Sequence, residues 1–281
     1  MTLPEITLRD GKKIPAVGYG LGTANYGRDS SDAVVLALKE GYYHLDGAEA
    51  YANDESIRVG LEKSGVTREE FFYTTKCSSS EPRIALQKAL RTLNLDYVDL
   101  YLLHSPEYFD EMGLSRAWEI CEDMQKEGLC RSIGVSNFRV KDLEEIKKTA
   151  RTMPVINQIE LHPYTYKSTK PLLDYCKENG ITVAAWGPLT PLTNAKGGPV
   201  DDTVTNIALA MHYTPGQVLA KWCQQVSEGV VLTTSSKSER LQEQLVPFTS
   251  MPDLSLQQIN AIIDSGKSKH FRTYMPHMDD P

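Results

Sequence analysis

Short apolar runs alternate with amphipathic stretches from about residue 16 to about residue 248, and this alternation limits the possible folds more than any other feature. The runs begin with Val17-Gly18-Tyr19-Gly20, Tyr43-His44-Leu45-Asp46, Phe71-Phe72-Tyr73-Thr74-Thr75-Lys76 and Val98-Asp99-Leu100-Tyr101-Leu102-Leu103-His104. They continue with Ser132-Ile133-Gly134-Val135-Ser136-Asn137, Val155-Ile156-Asn157-Gln158-Ile159-Glu160, Thr182-Val183-Ala184-Ala185-Trp186 and Val230-Val231-Leu232-Thr233-Thr234. About eight strand candidates separated by helical segments predict an α/β fold, a (β/α)8 TIM barrel. Their largely apolar character suits strands covered on both faces.

The intervening stretches carry helix signals. After Pro82, the residues Leu86, Ala89, Leu90 and Leu93 recur at three- and four-residue intervals, the stripe of a helix packed on a sheet. Thr214-Pro215-Gly216-Gln217 is a helix start in which Thr214 caps, Pro215 suits the first helical position and Gln217 completes a capping box. Gly65, Gly128, Gly180 and Gly229 each follow an amphipathic stretch, where glycine most easily ends a helix. Ahead of the first barrel strand, Ile6 to Ile14 is expected to form a hairpin around Asp10-Gly11. No repeat, low-complexity tract or linker interrupts the chain, so residues 1–281 are expected to form a single barrel domain.

Charge and cysteine usage narrow the functional classes. Thirty basic against 37 acidic residues leave a net charge of −7, which argues against non-specific nucleic-acid binding but not against one anionic ligand held locally. With 41% hydrophobic and 24% charged residues, the chain has the composition of a soluble globular protein. No apolar run reaches membrane-spanning length, and Met1 to Glu5 lack the basic start and apolar stretch of a signal peptide. Five dispersed cysteines (Cys77, Cys121, Cys130, Cys176, Cys223) without a CxxC pair suggest reduced thiols and a cytoplasmic protein. No His-x-His or similar ligand pair stands at a strand end, so no metal site is expected. Gly18-Tyr19-Gly20-Leu21-Gly22-Thr23 spaces its glycines wrongly for the dinucleotide fingerprint GxGxxG.

In a parallel barrel the C-terminal ends of the strands form the active face. Asp46 closes the second strand candidate, Tyr51 lies in the loop after it, Lys76 closes the third and His104 the fourth. Singly, such residues are ordinary: a helix cap, a rim tyrosine, a solvated lysine, a satisfied core histidine. Together on one face they match the needs of carbonyl reduction, which adds a hydride to carbon and a proton to oxygen. Tyrosine is a weak acid near neutrality, and a neighbouring ammonium makes its hydroxyl a better proton donor. Asp46 would hold that ammonium, and His104 would orient the substrate oxygen.

These residues lie in motifs that resemble the aldo-keto reductase superfamily: Asp46-Gly47-Ala48-Glu49-Ala50-Tyr51, Thr74-Thr75-Lys76, Leu102-Leu103-His104-Ser105-Pro106, Gly134-Val135-Ser136-Asn137-Phe138, Asn157 to Pro163 and Gly187-Pro188-Leu189. The resemblance covers nearly the whole chain. It implies a (β/α)8 barrel that uses NADPH, with Tyr51 as proton donor and Asp46, Lys76 and His104 completing a catalytic tetrad. It further implies that Ser136, Asn137 and Gln158 hold the nicotinamide carboxamide. Trp186 would stack on the ring, beside Pro188 and Leu189, and Gly22 and Thr23 would approach the cofactor. Thr234, Ser235, Ser236, Lys237 and Arg240 would surround the 2′-phosphate, with Glu243 and Gln244 facing adenine; hydroxyls, backbone donors and two cations suit a phosphate monoester.

The chain departs from the family pattern in places. Gly47 stands where Thr is frequent, Thr234 where many members have Lys, and Ala24 where Trp is frequent, which should open the pocket beside Tyr26 and Tyr108. Thr233 to Lys237 and Lys269 to Tyr274 are similar to a fungal branch that reduces conjugated polyketones, ketopantoyl lactone and α-keto amides. The expected protein is a monomeric reductase of a small-molecule carbonyl, with no nucleic-acid or membrane partner. A cyclic imine reductase and a low-turnover NADPH-binding regulatory subunit are the alternatives, and the complete tetrad argues against the second.

Overall fold

Burial on both faces makes strands of all eight apolar runs. In the computed structural model, which describes residues 3–280, they are β3 (Val17–Gly20), β4 (His44–Asp46), β5 (Phe72–Cys77), β6 (Val98–Leu103), β7 (Cys130–Ser136), β8 (Ile156–Glu160), β9 (Thr182–Trp186) and β10 (Val230–Thr233). Met1 and Thr2, the start of the segment considered as a leader, and Pro281 lie outside the described residues. All neighbouring strands are parallel, and β10 pairs with both β9 and β3, closing the barrel. A separate antiparallel pair, β1 (Glu5–Thr7) and β2 (Lys13–Pro15), precedes it in the register Ile6 to Ile14.

That hairpin turns where expected. Gly11 has a φ of 81°, open to glycine at no steric cost, and the Asp10 side chain accepts the Lys12 N–H. Leu8 and Ile14 pack with Leu100, Leu102, Val155, Ile156, Ala184, Val230 and Leu232, so the hairpin seals the barrel interior from the end opposite the expected active face. Asp10 also accepts a hydrogen bond from Ser132 Oγ at 2.7 Å.

Ten helices occur among the described residues: α1 (Ser31–Lys39), α2 (Asp54–Ser64), α3 (Pro82–Leu93), α4 (Leu114–Lys126), α5 (Val140–Lys147), α6 (Tyr166–Glu178), α7 (Val200–Met211), α8 (Pro215–Ser227), α9 (Ser238–Thr249) and α10 (Leu256–Gly266). The predicted stripe of α3 is buried at Leu86, Ala89, Leu90 and Leu93. The capping box of α8 is present: Thr214 Oγ1 accepts from Gln217 N, and the Gln217 side chain accepts from Thr214 N. All five cysteines are buried and free. No helix among the described residues is long and apolar enough to cross a membrane.

Gly65, Gly128 and Gly180 take positive φ just after α2, α4 and α6, as helix-ending glycines do. Gly229 departs from that expectation. Glu228 is the left-handed residue after α8, at φ 51°, and Gly229 is required because the Val183 carbonyl of β9 occupies the space of a side chain. Gly229→Ala should therefore cost about 3 kcal/mol, the upper range for overpacking, because the obstructing atom is backbone. Glu228→Gly should be tolerated, since it relieves a left-handed conformation that costs roughly 1–2 kcal/mol. Urea denaturation of the two variants checks this pair, and a stable Gly229→Ala protein would contradict it.

Candidate active site

Three strand ends and one short turn bring the four predicted residues together. Asp46 ends β4, Lys76 is the penultimate residue of β5, His104 directly follows β6, and Tyr51 closes a 3-10 turn, Glu49–Tyr51, after β4. Lys76 Nζ lies 2.5 Å from Asp46 Oδ1, 2.8 Å from the Gly47 carbonyl and 3.3 Å from Tyr51 Oη. Gln158 Nε2 donates to the other Asp46 oxygen at 2.7 Å. The His104 ring stands edge-on to Tyr51 with centroids 5.9 Å apart.

Burial governs the protonation of this cluster. It pushes the Tyr51 hydroxyl above its ordinary pKa, with Asp46 adding to that, while Lys76 pulls the other way. The expected effect of the ammonium is present, but desolvation outweighs it. Lys76 itself is sealed, which opposes its charge, yet Asp46 and Tyr51 hold its pKa above the usual value. Burial, aided by Lys76, lowers His104 to about 3, so its imidazole is neutral.

Gly22 and Gly47 explain themselves sterically. A side chain at Gly22 would strike the Tyr51 ring, with its nearest atom at 2.8 Å. At Gly47, where the family pattern has a larger residue, the Tyr73 hydroxyl fills the space instead. Thr23 adopts a positive φ of 42° beside Gly22.

The expected carboxamide residues are bonded to one another. Ser136 Oγ donates to the Gln158 carbonyl at 2.8 Å, and Asn137 Nδ2 donates to the His104 carbonyl and Ser136 Oγ, both at 3.0 Å. Asn137 is left-handed at φ 58°, which its side chain tolerates, and its Oδ1 is buried without a partner. Pro188 is buried, whereas Trp186 and Leu189 are half-buried.

At the expected phosphate site, Thr234 and Ser235 are half-buried, while Ser236, Lys237 and Arg240 are exposed around the start of α9. Lys237 N donates to Ser235 Oγ at 3.1 Å. Glu243, expected to face adenine, accepts from Thr214 Oγ1 at 2.5 Å and so ties α9 to α8. Gln244 Oε1 is buried without a partner.

Three tyrosines rim the site. Tyr26 is 58% exposed with its ring 6.3 Å from Tyr51, and Tyr108 is 38% exposed with its ring 6.5 Å from His104. Ala24 is exposed beside them. Tyr274, in the C-terminal tail expected to contribute to the pocket, lies 6.1 Å from Trp186 between ring centroids.

The C-terminal segment is tied to the barrel by Glu160 at the end of β8. Its buried carboxylate accepts the Thr273 N–H at 3.0 Å and the Tyr274 N–H at 3.4 Å, and lies 3.1 Å from His162 Nε2. His277 Nε2 lies 3.0 Å from the Asn137 carbonyl and its Nδ1 lies 3.3 Å from Glu107 Oε1. Neither Glu160 nor His277 was singled out from the sequence. A carboxylate ending an apolar strand was the available signal for the first.

This geometry agrees with comparisons to known proteins. Residues 17–264 match the model of the Aldo/keto reductase family. The chain belongs to that family. Among its relatives, the NAD/NADP-dependent indole-3-acetaldehyde reductase of Schizosaccharomyces pombe is 41% identical, with 96% of this chain and 98% of the relative covered. The NADPH-dependent alpha-keto amide reductase of Saccharomyces cerevisiae is 34% identical over 92% of this chain and 90% of its own length, which is consistent with the fungal branch. Among solved structures, a Bombyx mori aldo-keto reductase in complex with NADP superposes with a TM-score of 0.85 at 31% identity, covering 94% of this chain and 93% of that one.

The aldo/keto reductase barrel holds a second buried imidazole, His44, whose Nε2 meets Thr74 Oγ1 at 3.0 Å and which burial lowers to about 4. An unfolded histidine takes its proton near pH 6.5, so each of these two contributes stability that is complete above that value and is lost as pH falls toward its folded pKa. Asp54 acts in the opposite sense, because burial raises it to about 6. Imidazole NMR separates these effects: His44 and His104 should not titrate between about pH 8 and pH 5, where an ordinary histidine does. A normal titration of either would refute its sealed, neutral environment.

Proposed function

We propose that this aldo/keto reductase transfers a hydride from NADPH to the carbonyl carbon of an aldehyde or ketone, with Tyr51 as the proton donor. The observation that carries the reading is the Asp46–Lys76–Tyr51 chain of contacts, buried at its root and opening beside His104. A protein that only bound a nucleotide would have no use for a sealed ammonium against a phenol.

NADPH supplies the hydride when bound. The rest of the chemistry belongs to the chain. As negative charge grows on the carbonyl oxygen, Tyr51 Oη gives up its proton to it, and Lys76 stabilises the phenolate left behind. Asp46 and the Gly47 carbonyl fix Lys76, so the ammonium need not reorganise during transfer. His104, neutral at working pH, positions the oxygen.

The cofactor fits the residues present. The orphaned Oδ1 of Asn137 is an acceptor suited to an amide N–H, as the nicotinamide carboxamide offers. Ser136 and Gln158 support it, and Trp186 offers a half-exposed ring face. Ser235, Ser236, Lys237 and Arg240 gather hydroxyls and cations at the start of α9, and Gln244 Oε1 is a free acceptor on the same helix. Every tetrad residue comes from one chain, which supports a monomer as the working unit, and five buried, unpaired thiols suit the cytoplasm.

Tyr51→Phe should lower carbonyl reduction by about 10²–10⁴-fold, the usual contribution of a positioned general acid, while NADPH binding is retained. Steady-state oxidation of NADPH with aldehydes, ketones and dicarbonyls measures this, and turnover within a few-fold of the unaltered protein would remove Tyr51 from its role. Arg240→Ala should weaken NADPH by about tenfold or more, as the loss of one charge-assisted hydrogen bond does, and leave NADH nearly unchanged. Fluorescence titration with both cofactors decides it; equal losses would mean that Arg240 does not serve the 2′-phosphate.

A further inference from the structure

Ser78 stands two residues beyond Lys76, just outside β5, and its Oγ lies 2.6 Å from His104 Nδ1. This is the only hydrogen bond that the Ser78 hydroxyl makes among the described residues. The other ring nitrogen, Nε2, has no hydrogen-bond partner among the described residues and is not among the sealed polar atoms, so it remains open to the pocket. A neutral imidazole carries a single proton, and the hydrogen bond made by one nitrogen decides which form faces outward.

We propose that Ser78 is a positioning residue that fixes the tautomer of His104. Its hydroxyl donates to Nδ1, the imidazole proton is thereby held on Nε2, and His104 presents an N–H to the substrate's carbonyl oxygen. With a lone pair on Nε2, the ring would repel that oxygen as its charge grows; with an N–H it stabilises it. The inference rests on the proposed function only in assigning His104 to that oxygen.

The placement of Ser78 is itself fixed. Glu49 Oε2 accepts the Ser78 N–H at 2.8 Å, and Glu49 Oε1 accepts from Ser79 Oγ at 3.3 Å. Glu49 belongs to the same short turn as Tyr51. One carboxylate thus sets the loop that orients His104 relative to the turn that carries the phenol. The geometry couples two donors to one oxygen.

The test uses the full chain labelled with ¹⁵N-histidine. Signals of His104 are identified among the six histidines by their loss in His104→Gln. In the unaltered protein, Nδ1 should resonate as an acceptor nitrogen and Nε2 as a protonated one. Ser78→Ala should yield a mixture of tautomers and lower kcat about three- to tenfold, the worth of one neutral hydrogen bond, with KM little changed. Ser78→Thr, which keeps the hydroxyl, should restore both. A proton found on Nδ1 in the unaltered protein, or an unchanged tautomer and kcat in Ser78→Ala, would overturn the inference. Failure of the underlying reading looks different: Tyr51→Phe and His104→Gln would then reduce carbonyls normally, whatever the tautomer.

Discussion

The ion pair between Lys76 and Asp46 is the interaction on which the remainder depends. Both side chains are essentially sealed from solvent, and charges in such a place survive only when fully paired and hydrogen-bonded. Here the pairing is complete on both sides: Gln158 from β8 satisfies the second Asp46 oxygen, and the Gly47 carbonyl and Tyr51 hydroxyl take further Lys76 contacts. Removing one partner of such a pair costs about 3–5 kcal/mol, so the chemistry is held by the same forces that hold the strands in register. Strands β4, β5 and β8 must stay in their places around the closed barrel for these charges to remain neutralised.

The eight strands were legible because a strand covered on both faces has little room for polar residues, and the exceptions then gather at one end. Asp46, Lys76 and His104 stood out as polar closures of apolar runs, and the structure places them together. The capping box at Thr214 and the turn at Gly11 were legible because each depends on a few adjacent residues. Gly229 was misassigned because its cause lies outside its own segment: the backbone of Val183 on the neighbouring strand takes the space. Ser78, Glu160 and His277 were passed over for the same reason. Their long-range partners leave no local pattern, and only Glu160 carried a signal, as a carboxylate ending an apolar strand. Gly47 was legible as a departure from the family pattern, yet its compensation by Tyr73 needed the fold.

Electrostatically the site divides into a charged floor and a neutral rim. Burial opposes the charge on Lys76, which Asp46 and Tyr51 restore, and burial together with Lys76 keeps His104 neutral. Tyr51 lies between, raised by desolvation and pulled back by the ammonium. A phenol so placed keeps its proton until charge appears on a neighbouring oxygen. Under the proposed function, proton release is thereby matched to the demand of the reaction.

The clamp on the C-terminal segment has an evolutionary consequence. Glu160 grips Thr273 and Tyr274 by their main-chain N–H groups, which every amino acid but proline possesses. Tyr274 meets that carboxylate through its main chain alone, so its exposed side chain is free to change without releasing the anchor. Tyr274, packed on Trp186, can thus be exchanged for a smaller or more polar residue while the segment keeps its path. A lineage carrying this clamp can redraw the surface above Trp186 through single codon changes, with the scaffold beneath left intact.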